Sequence, residues 1–535
     1  MDSELEEAQA LRAACEAEPF AANIPAFIDA RAAEMGDAVA AHFIEDGTEL
    51  SYRRIADVSR ALAGSLARRG IGFGDRVGVM LPNIPAFPLT WLALGRLGAI
   101  MVPINVRYTP REVAYVLDDS GARLLVTEKD VLAEIAGAAE LAGHPALASP
   151  VVVGGADETS WERLAIGDPA GFRPEREPEL EDLVNIQYTS GTTGFPKGCM
   201  LTHRYWLMLA RVASLRAQGI ARNVLAAQPY YYMDPQWLTL MAMNLKGTVF
   251  VAAKPSATSF LDWIHRFGIE YCIFPQIVLK LPERADDARL PLRMASVFGL
   301  RRDAHAALEA RFNVTARESF GMTEIGSALF TPYGATSMVG SGTCGIPSPF
   351  REATIRDENG EPVPDGEIGE LWIRGSGILK GYWNKPEANA ESFREGGWFR
   401  TGDLFRRDAR GFHYIVGRVK DMIRRSGENI AAREVEAVML GWPQILEAAA
   451  LGVPDADRGQ EVKACLVLQP EVSAPEFDIA GFLDHCARNL APFKVPRFVE
   501  IRAELPKTPS GKVAKHLIVA ERVDLRAGAF DRLAG

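Results

Sequence analysis

Residues 188–198, with the sequence YTSGTTGFPKG, carry most of the chemistry that can be read directly from this chain. Their glycines allow sharp turns and close approach of the backbone to a ligand. Their serine and threonine hydroxyls can donate hydrogen bonds to phosphate oxygens, and Lys197 adds a positive charge on a flexible stem. Because the stretch also lacks an acidic residue, we predict a phosphate-binding loop. The alternative is an ordinary Gly/Thr surface loop.

This loop differs from a Walker A loop, in which Gly-Lys is followed by Ser or Thr and the lysine opens a helix. Here Pro196 precedes Lys197 and Gly198 follows it. The residue before a proline is biased away from the helical region, so the loop must hold phosphate as an ordered turn. The stretch resembles the phosphate loop of the adenylate-forming superfamily, which includes acyl-CoA synthetases, peptide-synthetase adenylation domains and luciferases.

Further motifs match that superfamily in order along the chain: ESFGMTE at 318–324, TGD at 401–403, GRVK at 417–420, SGEN at 426–429 and PSGK at 509–512. Taken singly, a Thr-Glu pair is most often a turn or a helix cap, and a lysine after Ser-Gly is usually a surface residue. Together, and in this order over most of the chain, they identify the protein as a member of the superfamily.

The resemblance implies a role for each matching residue. It implies ATP binding by Thr189, Ser190, Gly191, Thr192, Thr193, Gly194, Lys197, Phe320, Gly321, Met322, Asp403 and Arg418. It implies catalysis by Lys512, Thr323 and Glu324, with Glu324 also the Mg²⁺ ligand. It implies a hinge at Lys420, with Ser426 and Gly427 lining the path of coenzyme A.

The segment at 229–237, PYYYMDPQW, departs from the family pattern. The family usually has a histidine where Tyr232 stands, and a tyrosine does not titrate near neutral pH. The segment also places Asp234 among aromatic residues. A fatty-acid tunnel disfavours a buried unpaired charge, whereas aromatic residues with a carboxylate suit a cationic head group.

The sequence around 417–430 likewise resembles the crotonobetaine/carnitine–CoA ligase branch, so one hypothesis is a quaternary-ammonium acid as substrate. In the alternative, Asp234 caps a helix and the tyrosines pack in a core. The residues predicted to line the substrate pocket are Tyr231, Tyr232, Asp234, Trp237, Gln276 and Gly299.

The elements that must position these residues alternate between short apolar runs and helical patterns, which is typical of parallel sheets covered by helices. Predicted strands lie at 77–81, 99–103, 124–127, 224–228, 248–252 and 271–274, with a predicted helix at 88–97. From about residue 350 the pattern changes to strands joined by turns. We therefore predict an α/β fold with a large N-terminal domain, a β subdomain and a small mobile C-terminal α+β domain, divided as 1–419 and 420–535.

Composition sets further limits. A chain of 535 residues needs more than one core, and a net charge of −10 argues against nucleic acid as the main partner. The six cysteines and eight histidines lack metal-site spacing. The acidic N-terminus is unlike a signal peptide, and prolines interrupt the most apolar region at 77–105. We expect a cytoplasmic protein without integral membrane segments, and a homodimer is left open.

These observations predict an ATP-dependent carboxylate–CoA ligase that acts through an acyl-adenylate. Its substrates and cofactors would be a small carboxylic acid, ATP, Mg²⁺ and coenzyme A. Three alternatives stay open. The acid could be a medium-chain fatty acid or an aryl acid, the acceptor could be a carrier protein, or the chain could be a nucleotide-binding regulator on an inactive scaffold.

Overall fold

The computed structural model describes residues 3–170, 172–189, 196–426, 428–508 and 511–534. Six residues of the predicted phosphate loop, 190–195, lie outside the described residues, and so does Gly427. The chain forms two compact units. Unit 1 contains Met1–Thr189, Lys197–Ala353 and Ile373–Gly397, and unit 2 contains Ser190–Pro196, Thr354–Trp372 and Trp398–Gly535.

The α-helices in the described residues are α1 Ser3–Ala17, α2 Ile24–Met35, α3 Tyr52–Arg68, α4 Ala86–Leu97, α5 Pro110–Ser120, α6 Lys129–Ile135, α7 Trp161–Ala165, α8 His203–Arg216, α9 Met233–Asn244, α10 Ala257–Phe267, α11 Arg302–Phe312, α12 Pro386–Ser392, α13 Ala432–Met439, α14 Ile479–Asn489 and α15 Lys515–Ala520.

The strands are β1 Val39–Phe43, β2 Glu49–Ser51, β3 Arg76–Met80, β4 Ile100–Pro103, β5 Leu124–Glu128, β6 Val151–Val153, β7 Leu183–Thr189, β8 Lys197–Thr202, β9 Asn223–Ala226, β10 Thr248–Val251, β11 Tyr271–Ile273, β12 Met294–Val297, β13 Thr315–Met322, β14 Gly326–Phe330, β15 Ile346–Pro347, β16 Arg351–Arg356, β17 Ile368–Gly375, β18 Phe393–Arg394, β19 Trp398–Arg407, β20 His413–Arg418, β21 Met422–Arg425, β22 Glu428–Ala431, β23 Ile445–Asp455, β24 Gly459–Leu468, β25 Phe498–Ile501 and β26 Phe530–Asp531.

Unit 1 contains two large sheets. One has nine strands in the order β15-β14-β13-β12-β11-β9-β10-β1-β2, and the other has six in the order β6-β5-β3-β4-β7-β8. The central pairs β9–β10, β11–β12, β12–β13, β3–β4 and β3–β5 are parallel. The predicted α/β fold with parallel-rich sheets is confirmed, and each predicted strand lies within one or two residues of an observed one.

Helix packing explains why the predicted parallel sheets form. Every residue of α4 is buried, and a helix that is apolar on all sides belongs inside a core. Helix α5 begins with a capping box in which Thr109 and Glu112 satisfy each other's backbone N–H groups. It ends at Gly121, whose φ of +63° is a left-handed conformation that glycine adopts without strain. These signals set the length of the helix between β4 and β5.

Unit 2 contains a separate six-stranded sheet. Its order is β22-β21-β24-β25-β26, with β23 paired to β24. Helices α13 and α14 pack on this sheet around Val435, Met439, Phe482 and Cys486, which are all fully buried. In addition, β19 and β20 pair antiparallel within a five-stranded sheet of order β16-β17-β19-β18. In the part of the chain that the structure describes, none of the helices has the length and apolar character needed to cross a bilayer.

Candidate active site

The predicted phosphate loop joins two antiparallel strands. Strands β7 and β8 pair in register up to Thr189 and Lys197, and the Thr189 hydroxyl donates to the Lys197 carbonyl at 3.4 Å. Gly198 has no room for a side chain, because an added Cβ would lie 2.5 Å from Cγ2 of Ile186. The Lys197 ammonium lies 4.5 Å from the ring centroid of Tyr382. The predicted loop is therefore flanked on both sides by paired antiparallel strands.

Glu324, the predicted metal ligand, is a buried carboxylate with a fixed orientation. Its side chain is 8% exposed, and its Oε1 accepts a hydrogen bond from the Tyr382 hydroxyl at 3.0 Å. Burial, followed by the charge of Glu324, raises the pKa of Tyr382 far above its ordinary value. Tyr382 therefore keeps its proton and acts as a permanent donor. The sequence analysis did not identify this tyrosine.

Arg351 fixes the turn that follows Glu324. Its guanidinium donates to the carbonyl of Ile325 at 2.8 and 3.1 Å and to the carbonyl of Gly377 at 3.1 Å. Burial lowers the pKa of Arg351 to about 10, which still leaves the side chain charged at neutral pH. Arg351 is a second residue that the sequence analysis missed, and it ties the Glu324 turn to the segment that carries Tyr382.

The motif at 318–324 ends strand β13 and continues into a turn. Gly321 stands at a register shift between β13 and β14, where an added Cβ would lie 2.4 Å from the carbonyl oxygen of Gly326. Gly321 is exposed and the side chains of Phe320 and Met322 are partly buried. The Thr323 hydroxyl approaches the Met233 sulfur at 3.5 Å. The structure therefore brings the predicted ATP motif next to the first turn of α9.

Glu318 holds the neighbouring turn at 298–300. Its carboxylate accepts the backbone N–H of Gly299 at 2.5 Å and that of Leu300 at 2.9 Å. From the other side, the Gln276 amide donates to the carbonyl oxygens of Phe298 at 3.1 Å and Gly299 at 3.0 Å. The predicted pocket residues Gln276 and Gly299 are therefore in direct contact. Glu318 is the first residue of the motif at 318–324, but the sequence analysis predicted no role for it.

The remaining predicted pocket residues cluster at the start of α9. The rings of Tyr231 and Tyr232 meet edge to face with centroids 4.9 Å apart, and the Asn105 amide donates to the Tyr232 hydroxyl at 3.3 Å. Burial raises the pKa of Tyr232. The tyrosine that stands in place of the family's histidine is thus a neutral hydrogen-bonding group.

Asp234 lies in the first turn of α9 and is not its cap, since Tyr232 occupies that position. The alternative in which Asp234 caps this helix is therefore wrong. Its carboxylate accepts the indole N–H of Trp237 at 3.1 Å. The N-terminal end of a helix also favours negative charge. The indole N–H of Trp237 and the N-terminus of α9 therefore both compensate the charge of Asp234.

Arg216, at the end of α8, was not identified from the sequence. It is 6% exposed, its Nη1 donates to the Ser319 hydroxyl at 2.8 Å, and its guanidinium carbon lies 5.8 Å from the Trp237 ring centroid. A single arginine at the end of a helix carries no spacing signal in the sequence, and its burial against Trp237 is visible only in three dimensions.

In unit 2, Asp403 and Arg418 face each other across strands β19 and β20. The Arg418 Nε donates to the Asp403 carboxylate at 3.0 Å. Burial raises the pKa of Asp403, while Arg418 and then Lys512 act in the opposite direction. The structure therefore brings three predicted residues of this unit together: a buried carboxylate, its arginine partner and the lysine predicted to be catalytic.

Lys512 lies on a tight turn with an exposed side chain. Its backbone N–H donates to the Thr508 hydroxyl at 3.2 Å, and its carbonyl accepts the Thr508 N–H at 2.7 Å. Pro509 and Ser510, between them, lie outside the described residues. The turn holds the backbone of Lys512 while its ammonium projects on a flexible stem.

Lys420, the predicted hinge, occupies a short 3₁₀ turn, Val419–Asp421, between β20 and β21. Ser426 follows β21 with a φ of +53°, a conformation that residues other than glycine adopt rarely. Its N–H donates to the Arg458 carbonyl at 2.8 Å. The preceding Arg425 forms two hydrogen bonds, of 2.7 and 3.1 Å, to the buried Glu461. The start of the loop is thereby anchored to β24.

Comparison with known proteins identifies the family of the chain. Residues 28–383 match the family model described as AMP-binding enzyme, and residues 434–512 match the AMP-binding enzyme C-terminal domain. The chain is 35% identical over 500 residues to a protein named sulfoacetate–CoA ligase from Cupriavidus necator, covering 92% of this chain and 96% of that protein. It is 34% identical over 487 residues to a crotonobetaine/carnitine–CoA ligase from Shigella dysenteriae, covering 87% and 92% respectively.

Solved structures give the same result. The crystal structure of ATP-bound MatB from Rhodopseudomonas palustris superimposes with a TM-score of 0.83 at 26% identity, covering 93% of this chain and 98% of that one. The chain therefore belongs to the AMP-binding enzyme family. Its class within that family is that of the AMP-forming acyl-CoA synthetases.

Proposed function

We propose that this protein is a carboxylate–CoA ligase that joins a short, charged carboxylic acid to coenzyme A through an acyl-adenylate. The observation that carries the proposal is the buried Glu324 carboxylate, oriented by Tyr382 beside the strand end at Lys197. Unit 2 adds Asp403, Arg418 and Lys512, which lie within electrostatic reach of one another. A dead scaffold would have no need to keep these charged groups in place.

The first half-reaction is assigned to residues from both units. The acid's carboxylate attacks the α-phosphorus of ATP and pyrophosphate leaves. In the proposed assignment, the loop flanked by Thr189 and Lys197 holds the β- and γ-phosphates, and Asp403 accepts hydrogen bonds from the ribose hydroxyls. Lys512 stabilises the negative charge that builds up in the transition state. Catalysis of phosphoryl-type transfer rests mainly on positioning and electrostatics, which suits this set of residues.

Glu324 fits a Mg²⁺ ligand by its chemistry. Mg²⁺ takes oxygen ligands and is usually held by one or two carboxylates together with substrate phosphates. Glu324 supplies one such carboxylate, and Tyr382 holds its orientation. When bound, the ion would neutralise phosphate charge. The chain's own contribution is to hold the carboxylate in a buried site where water competes poorly.

The second half-reaction is assigned to a rotation of the C-terminal domain, with residues 420–535 moving about Lys420. We propose that this motion withdraws Lys512 and brings the loop at 426–427 towards the thiol of coenzyme A. The thiol then attacks the acyl carbonyl and AMP leaves. The short 3₁₀ turn at Lys420 supports the assignment, because hinges are commonly a few residues at the ends of elements.

The acid is proposed to carry a second charged group, because two charged side chains lie around Trp237. Asp234 is hydrogen-bonded to the indole N–H, and Arg216 is placed near the ring. The sequence-based hypothesis is a quaternary-ammonium acid such as carnitine or crotonobetaine, with Asp234 as partner of the cation. The second candidate is an acid with a further anionic group, with Arg216 as its partner. The two named relatives act on one acid of each kind.

The experiment that tests the function is CoA-dependent release of AMP across a panel of acids. The panel contains betaines, acids with a second anionic group, medium-chain fatty acids and aryl acids. The ligase predicts AMP release that requires an acid, ATP and coenzyme A together. If AMP release does not need coenzyme A and instead requires a carrier protein, the assignment of coenzyme A as acceptor is wrong. ATP binding without turnover of any acid would contradict the proposed function.

A further inference from the structure

Arg216 is a buried guanidinium without a negatively charged partner among the described residues. Its recorded contacts are the neutral hydroxyl of Ser319 and the ring of Trp237. Its Nε is fully buried and has no hydrogen-bond partner. By contrast, Arg96 is paired with Asp29 and Arg317 with Glu309, and the guanidinium of Arg351 donates to several backbone carbonyls.

Burying a cation without an anionic partner raises the free energy of the folded protein. Taking a charged group out of water is strongly unfavourable unless it is paired and hydrogen-bonded, and one hydroxyl supplies only a single neutral acceptor. A guanidinium offers five N–H donors in a planar fork that matches a carboxylate or similar anion. The side chain is therefore preorganised to bind an anion that none of the described residues supplies.

The position of Arg216 points to the acid as the source of that anion. Trp237 is a predicted pocket residue, and Ser319 immediately precedes Phe320 of the ATP motif on β13. The hydroxyl of Tyr271 is close enough to respond to both pocket charges: burial raises the pKa of Tyr271, Arg216 acts to lower it and Asp234 acts to raise it. Arg216 therefore borders the residues at the first turns of α9 that are predicted to line the acid pocket.

The two pocket charges are not equivalent. The carboxylate of Asp234 already accepts the Trp237 indole N–H and lies at a helix N-terminus. Arg216 is more deeply buried and has only a hydroxyl. Of the two side chains, Arg216 is the one whose charge is not compensated by another described residue. A ligand that neutralises Arg216 therefore gains more binding free energy than a ligand that pairs with Asp234.

We propose that Arg216 is a specificity-determining residue and that its guanidinium binds a second anionic group, a carboxylate or a sulfonate, at the far end of the acid. This inference rests on the proposed ligase function. It selects the dianionic acid over the betaine. The reacting carboxylate of the same acid then points towards the ATP motif at 320–324, away from Arg216.

The test compares acids that differ in one charge. Malonate and malonamate, and succinate and succinamate, are near-isosteric pairs in which an amide replaces the second carboxylate. Sulfoacetate, carnitine and crotonobetaine complete the set. The readout is kcat/KM for CoA-dependent AMP release by the full-length protein. We expect the wild-type protein to favour the second anionic group by about 10- to 100-fold, the range for hydrogen bonds to a charged group.

Arg216→Gln should remove that preference: kcat/KM falls about 10- to 100-fold for the dianionic acids and stays within about threefold for the amides. Arg216→Lys should restore part of the preference. The matched control is Arg211→Gln, because Arg211 lies on the same helix but its partners are Glu18, Pro19 and Phe20, none of which is a predicted pocket residue. This control should leave acid preference unchanged.

Three results would overturn the inference. They are a wild-type preference for the amides or betaines, equal losses for dianionic and neutral acids in Arg216→Gln, and a loss of the same preference in Arg211→Gln. If Arg216→Gln fails to fold, the wild-type preference between each acid and its amide still decides. Failure of the ligase function itself is distinguishable, because then no acid in the set would support AMP release.

Discussion

Replacing Tyr382 by phenylalanine tests how the Glu324 carboxylate is held. The substitution removes one hydroxyl, which donates to Glu324 at 3.0 Å inside a site where both side chains are less than a tenth exposed. A hydrogen bond to a charged group contributes about 1.5–3 kcal/mol. Since each 1.4 kcal/mol is a factor of about ten, we expect Tyr382→Phe to weaken adenylation by about 10- to 100-fold.

The assay is acid-dependent exchange of pyrophosphate into ATP, measured over a range of Mg²⁺ concentrations. Tyr382→Phe should need more Mg²⁺ for half-maximal exchange, because the carboxylate is no longer held in one orientation. The rate of thioester formation from supplied acyl-adenylate should remain close to that of the wild type. These two results together separate a positioning role from a general loss of structure.

Tyr414→Phe is the matched control. Tyr414 also donates its hydroxyl to a carboxylate, that of Asp408 at 2.9 Å, but Asp408 has no proposed part in catalysis. This variant should have wild-type exchange and Mg²⁺ dependence. An unchanged Mg²⁺ dependence and exchange rate in Tyr382→Phe would refute the argument that the Tyr382 hydroxyl orients Glu324.

Two other residues give further predictions. Burial lowers the pKa of His203 from its ordinary value of 6.5 to about 4 in the folded protein. The folded protein therefore has its full stability at pH values above the pKa of His203 in the unfolded chain, where the imidazole is neutral, and it loses stability as the pH falls towards 4. Denaturant unfolding between about pH 7.5 and about pH 5 should show a loss of about 2 kcal/mol that is absent in His203→Gln; parallel pH profiles would contradict this. Glu318→Gln should raise the KM for the acid by about tenfold, because the amide cannot accept both N–H groups of the turn at 299–300, which carries the predicted pocket residue Gly299. An unchanged KM in acid titrations would show that this turn does not contribute to binding of the acid.

Local patterns were sufficient to predict the strands and helices that build the parallel-rich sheets. The strand at β3 and the helix α4 follow from largely apolar runs near proline and glycine, and such runs need burial on all sides. A strand rather than a helix follows the predicted loop, since β8 begins at Lys197 directly after Pro196.

The residues that orient the site were less accessible from sequence. Tyr382 reaches Glu324 across 58 residues, and Arg216 reaches Ser319 across 103. A lone tyrosine or arginine has no spacing that reveals such a contact, because the contact exists only after distant elements have packed. Asp234 shows the opposite error: its identity suggested a cap, but the helix begins at Met233, two residues earlier than a cap at position 234 requires.

The central claim is that one chain performs adenylation and thioester formation with different groups. The most direct measurement compares the two half-reactions in Lys512→Ala. Adenylation should fall by about 10²-fold or more, because an electrostatic stabiliser of the transition state is removed. Thioester formation from supplied acyl-adenylate and coenzyme A should be largely retained. Equal losses in both half-reactions would contradict the proposed rotation and the role of Lys512.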